Sequence, residues 1–171
     1  KMKKLIVALA FIMTSMTLFS QSQVEAMLRD AAVFNNAYMQ KDFAKYVDMM
    51  VPSVIEVAGG SEIMVDNVKQ TYTLTSGGGV VIESIDPIKP GKIMLAGEEL
   101  HALIPQKSIN KIGTTKFEKT SYYLAVSGDE GKTWKFLDLE PYDAESLKTF
   151  VPTFTGEIEI PEVAQPKLIE E

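Results

Sequence analysis

From Val24 onward, apolar positions recur first at helical spacing and later at strand spacing. Val24, Met27, Leu28, Ala31, Phe34 and Tyr38 follow one another at threes and fours, with Glu25, Arg29, Asp30 and Asn35 between them. That pattern predicts an amphipathic helix from Val24 to about Met39. Asp42 is placed to cap a second, shorter helix, whose stripe is Phe43, Tyr46, Val47 and Met50 and which Pro52 ends. The branched run Ser53 to Ala58 reads as a short strand closed by Gly59-Gly60. Ile63, Met64, Val65, Val68 and Tyr72 then predict a third helix from about Glu62 to Thr73, ahead of Gly77-Gly78-Gly79.

Beyond the triple glycine, strands are expected at Val80 to Ile85, Lys92 to Ala96, Glu98 to Pro105, Phe117 to Ser127 and Lys132 to Leu139. Asp86 to Gly91 reads as a stiff turn and Lys107 to Thr114 as a loop. Gly128-Asp129-Glu130-Gly131 is a hairpin connection. In its first arm Tyr122, Leu124 and Val126 share a face; in the second, Trp134 and Phe136 do. Ala144 to Phe150 reads as a short helix and Phe154 to Ile160 as an edge strand. Pro161 to Glu171, rich in proline and glutamate, reads as a loose tail.

The first residues have a different character. Lys1, Lys3 and Lys4 precede the unbroken apolar run Leu5 to Met13, and Ser20-Gln21-Ser22-Gln23 follows. Positive, apolar, then small and polar is the order of a secretion signal. The uninterrupted apolar run is shorter than the roughly 20 residues needed to span a bilayer. The expected division is therefore a signal at 1–22, a domain at 23–142 and a C-terminal extension at 143–171. The mature protein is expected in the periplasm or outside the cell, without stable membrane insertion. Cleavage after Ser20 and cleavage after Ser22 both fit.

The chain has no cysteine, which excludes a disulfide framework, thiolate metal ligands and thiol nucleophiles. It has 17 Lys and Arg against 23 Asp and Glu; without Lys1, Lys3 and Lys4 this becomes 14 against 23, a net charge of −9. An acidic chain with no basic cluster argues against a nucleic-acid partner.

Helices followed by a run of antiparallel strands predict an α+β domain, N-terminal helices packed on a curved antiparallel sheet. Ala31 to Tyr38, Lys41-Asp42-Phe43 with Tyr46, Pro52-Ser53-Val54, Gly59-Gly60-Ser61 and Gly131 to Leu137 carry a likeness, in their order along the chain. Over roughly Val24 to Leu139 the chain resembles the nuclear transport factor 2-like superfamily, whose cone-shaped, cystatin-like sheet wraps a long N-terminal helix. The resemblance implies a cone with a pocket. Enzymes of the superfamily place an Asp or His there, often with a Tyr. Other members act as binding or accessory domains, and sheet-face dimers are common.

His101 is the lone histidine and the candidate general base. Strand parity sets it opposite Leu100, Ala102 and Ile104, facing either solvent or the pocket, and catalysis is weighed against an ordinary surface or satisfied, partly buried histidine and against ligand contact. Tyr38, Tyr46, Tyr72, Tyr122 and Trp134 are the candidate ligand-binding aromatics, weighed against ordinary core packing. Asp129 and Glu130 read as turn residues. One histidine and no cysteine give no zinc set, and the glycine runs lack the spacing of a phosphate cradle. No metal or cofactor is expected.

The leading expectation is an exported, non-enzymatic binding or accessory domain, taking a small apolar ligand or a partner protein, or forming a homodimer through the sheet face. The alternative is a small hydrolase or isomerase using His101 with a carboxylate and a tyrosine as general acid and base. A purely structural subunit would have a broad apolar sheet face and no enclosed cavity.

Overall fold

The computed structural model describes residues 2–140, 142–162 and 164–169, with side-chain packing from residue 21 onward. Lys1, Pro141, Val163, Glu170 and Glu171 lie outside the described residues, and with them the first lysine of the leader and parts of the expected tail. The elements are α1 (Met2–Met39), α2 (Phe43–Asp48), α3 (Pro52–Val57), α4 (Ser61–Gly77), β1 (Val80–Pro87), β2 (Met94–Ala96), β3 (Glu99–Ile112), β4 (Thr115–Ser127), β5 (Lys135–Asp138), α5 (Ala144–Phe150) and β6 (Lys167–Ile169).

A long hairpin, β3–β4, is the spine of one antiparallel sheet. Its two-residue turn, Gly113-Thr114, begins with Gly113 at φ +60°, where a side chain would be strained. β1 and β2 pair along the outer edge of β3, and β5 and β6 along the outer edge of β4. The sheet curls around the helices into a half-barrel. This is an α+β cone, consistent with a nuclear transport factor 2-like fold.

The register sorts side chains onto two faces. Ala102, Ile104, Tyr123, Ala125 and Phe136 face inward and bury against Ala26, Met27, Ala31 and Phe34 of α1. Alanines on both sides (Ala31, Ala102 and Ala125, all fully buried) let helix and sheet approach closely. Gln23 Nε2 donates to Glu130 O, and the Trp134 amide donates to Asp30 Oδ2, pinning α1 to the β4–β5 hairpin. At the other side of α1, Asn35 Nδ2 donates to buried Gln106 Oε1 and to Ile85 O.

The outer face carries a second core. Leu124 and Val126 pack with Leu147, Val151 and Phe154, while Leu137 and Leu139 extend it toward Val47, Val51 and Val54 at the β5 edge. The extension after residue 142 thus begins with the expected short helix and covers this face. Further along this face the residues are charged, with ion pairs Lys107–Glu118 and Lys116–Glu83.

Several expectations are corrected. Ser53 to Ala58 is not a strand: Pro52 opens α3, and Val54 buries. Proline is at home in a first helical turn, where its missing N–H has no partner to lose, so it starts this helix. Lys107 to Thr114 is not a loop, because β3 continues to Ile112. Its apolar alternation fades since one face lines a partly polar cavity and the other meets water. Phe154 to Ile160 forms no strand, whereas Lys167–Ile169 in the expected tail pairs with β4. The third helix runs on to Gly77, and in its hydroxyl-rich end Thr71, Thr73 and Ser76 donate to carbonyls four residues back, bonds compatible with the helix.

Candidate functional site

α1 fills only one end of the cone. Toward the open ends of β1, β3 and β4 the inner sheet face is roofed by α4 instead, leaving a cavity of about 750 Å³. Met64, Val68, Thr71 and Thr75 of α4 form its roof, with Val80, Ile82, Ile85 and Ile112 along one side. Ile82 and Ile85 both point inward because the register shifts between Ile82 and Ser84; the extra residue of this bulge reverses the alternation. Ser108, Asn110, Lys119 and Ser121 make a polar floor. Phe117 of β4 and its register partner Leu168 of β6 complete the wall, so the C-terminal strand contributes to the cavity.

One carboxyl stands at the inner end. Asp138 follows Phe136 by two residues on β5 and therefore shares its inward face, directly across from Tyr123. Tyr38, Tyr46 and Tyr142 line the same end, and Asp138 acts electrostatically on all four tyrosines. Burial pushes the Asp138 carboxyl above its ordinary range, and Glu140 adds to that; the Glu140 amide, donating at 3.0 Å, and Lys119 oppose it. Burial likewise raises Tyr38, Tyr46, Tyr123 and Tyr142, with the Asp138 charge adding to each. They remain phenols, and no hydrogen bond among the described residues engages their hydroxyls. Phe34 holds two of these rings, stacking on Tyr46 at 4.1 Å and meeting Tyr123 edge-on at 5.5 Å.

The sequence-predicted residues divide between several places. Tyr38 and Tyr46 line the cavity. Tyr72 lies in a smaller adjoining cleft of about 130 Å³, where Thr75, Val80 and Ile82 are shared walls, and its ring meets Tyr38 and Phe43. Tyr122 packs against the outer core and Trp134 is sealed in the inner one, its indole N–H donating to Gly131 O. Neither is among the residues lining the cavity.

His101 takes neither place offered by parity, and has instead the burial that was weighed against catalysis. It lies on the outer face, yet is 1% exposed rather than solvated. Its Nε2 lies 3.3 Å from Glu99 Oε2 and 3.3 Å from Thr153 Oγ1, and Thr153 donates to the same carboxylate. Nδ1 is buried with no partner. The only histidine therefore fastens the covering segment around Thr153 to β3 and stands outside the lining of the cavity.

Asp138 is the residue that sequence reasoning did not place in the pocket, although its signal was present. An acid two positions after Phe136 on an inward-facing strand breaks the apolar alternation where a buried residue is due. Asp129 is a different matter. It accepts from the Lys132 and Thr133 amides, from Thr133 Oγ1 and from Ser127 Oγ. Slight burial would raise its carboxyl, but these bonds outweigh it and hold the group at about 2. It clasps the β4–β5 connection.

Among the described residues no group of three or more His, Asp or Glu is arranged to hold a metal, and no helix is long and apolar enough to cross a membrane. Comparison with family models, with curated proteins and with solved structures finds no match.

Proposed function

We propose that the cone binds a small, mostly apolar molecule and that Asp138 exchanges a proton with it, the tyrosine hydroxyls donating to an oxygen on the same molecule. The observation that carries this reading is a carboxyl pushed above its ordinary range among four unengaged phenols, at the end of an otherwise largely apolar cavity. A carboxylate in such surroundings is a stronger base than in water, since desolvation disfavours its charged form. Buried phenols facing the same space are suited to receive charge developing on a carbonyl oxygen. A hydrogen removed from carbon and returned elsewhere gives an isomerisation, with the electrons held meanwhile on that oxygen. The reading favours acid–base chemistry over passive binding, and moves the role expected of His101 to Asp138.

The protein works outside the cytoplasm in this reading. The lysines before the apolar run Leu5 to Met13 support it.

The test uses 5-nitrobenzisoxazole, whose ring opens to a coloured cyanophenolate when a base removes its carbon-bound proton. The wild type is expected to accelerate the opening beyond acetate at equal concentration, with a rate that falls as Asp138 protonates. Asp138→Asn should remove the acceleration while still binding a neutral apolar dye. Equal rates in both proteins would overturn the assignment of Asp138.

A further inference from the structure

Among the described residues, the charged groups lining the cavity are Lys119, Asp138 and Glu140. Lys119 lies on the polar floor between Phe117 and Ser121, on the inner face of β4. A molecule lying along that strand passes its ammonium. That ammonium is already ion-paired with Glu140 Oε1, a residue two places beyond Asp138. With Asp138 ionised the lining carries one cation and two anions; with Asp138 protonated it carries one of each. In neither state does the described lining offer a cation without its own carboxylate.

We infer that Glu140 sets the charge specificity of the cavity: by occupying Lys119 it admits uncharged apolar molecules and excludes anionic amphiphiles such as carboxylates, sulfonates and phosphates. An anion entering the cone would have to displace Glu140 from Lys119 or lie beside Asp138, and like charges brought together at an interface cost several kcal/mol. An uncharged ligand meets no such obstacle. Its polar edge finds the Ser108 and Ser121 hydroxyls and the Asn110 amide on the floor, while its apolar body meets Val68, Ile82 and Phe117. The inference rests on the cavity as a ligand site but not on Asp138 as a base.

Two dyes with the same aromatic body make the test. N-phenyl-1-naphthylamine is uncharged, and 1-anilinonaphthalene-8-sulfonate adds one sulfonate to it. Fluorescence titration at pH 7.5 is expected to give an affinity for the uncharged dye at least about tenfold tighter than for the sulfonate. Glu140→Gln, 43% exposed, should narrow the ratio of the two affinities about tenfold by tightening sulfonate binding. Adding Lys119→Met to Glu140→Gln should return the sulfonate to its wild-type affinity, showing that the gain runs through the freed ammonium. Competition between the dyes confirms that both report one site. Equal wild-type affinities, or no response of the sulfonate to Glu140→Gln, would overturn the inference while leaving the cavity as a ligand site. Failure of the uncharged dye to bind would overturn both.

Discussion

Replacing Asp129 with Asn tests whether the β4–β5 connection is set by one carboxylate. A carboxyl held at about 2 instead of 3.8 corresponds at most to about 2.4 kcal/mol of folding stability, at ~1.36 kcal/mol per pH unit. Asp129 sits in a solvent-facing loop, so screening reduces this to about 1 kcal/mol. For a chain of this size that is a fall in Tm of roughly 2–4 °C. Because the folded value is depressed, the stabilisation is full above pH 3.8 and is lost as pH falls through about 2. Asparagine keeps an acceptor oxygen but not the charge. Urea unfolding at pH 7 and at pH 2 should therefore show a gap between wild type and variant that nearly closes at the lower pH. A gap of the same size at both, or none at pH 7, would refute the reasoning. The clasp also bears on the cavity, since slipping β5 by one residue would turn Asp138 to the opposite face of the sheet.

Asp138→Asn should unfold at higher urea than wild type at pH 7, because it removes a buried carboxylate whose folded value is raised. The gain is up to about 1.4 kcal/mol for each pH unit of displacement, and it should vanish below the ordinary carboxyl range, where both side chains are neutral. Thr153→Val should lower stability by about 1–2 kcal/mol through loss of its hydrogen bond to the Glu99 carboxylate. The affinity for N-phenyl-1-naphthylamine should stay unchanged, as measured by titration, because the His101 cluster is outside the cavity. Ending the chain after Ile160 removes Leu168 from the cavity wall. Stopped-flow dilution should then show faster release of the same dye, with little change in Tm, because all three residues of β6 are exposed.

The hydrophobic pattern carried the architecture wherever an element buries one face. The stripe Met27, Ala31, Phe34 and the alternation Tyr122, Leu124, Val126 sit on cores, and both elements form as the periodicity implies. It failed where an element borders the cavity or water on both sides. The run Lys107 to Ile112 places Ser108 and Asn110 on the cavity floor and Lys107 in an outer ion pair, so no alternation marks it as a strand. The β6 residues are exposed and join the sheet through a three-residue backbone pairing, of which composition carries no trace. Of the site, Tyr38 and Tyr46 were legible as aromatic positions on inward-facing helices. The place of His101 was not, because parity assigns a face but cannot show that Thr153 and its segment later meet it there. Asp138 was legible from parity, but only once its strand is known to face inward beyond Phe136.

The carbon-13 titration of the Asp138 side-chain carboxyl, run with and without N-phenyl-1-naphthylamine, tests the central claim most directly. The account predicts a midpoint above the ordinary carboxyl range in the free protein. It predicts a further rise when the dye fills the cavity and displaces water from around the carboxyl. An ordinary midpoint that the dye does not move would contradict it.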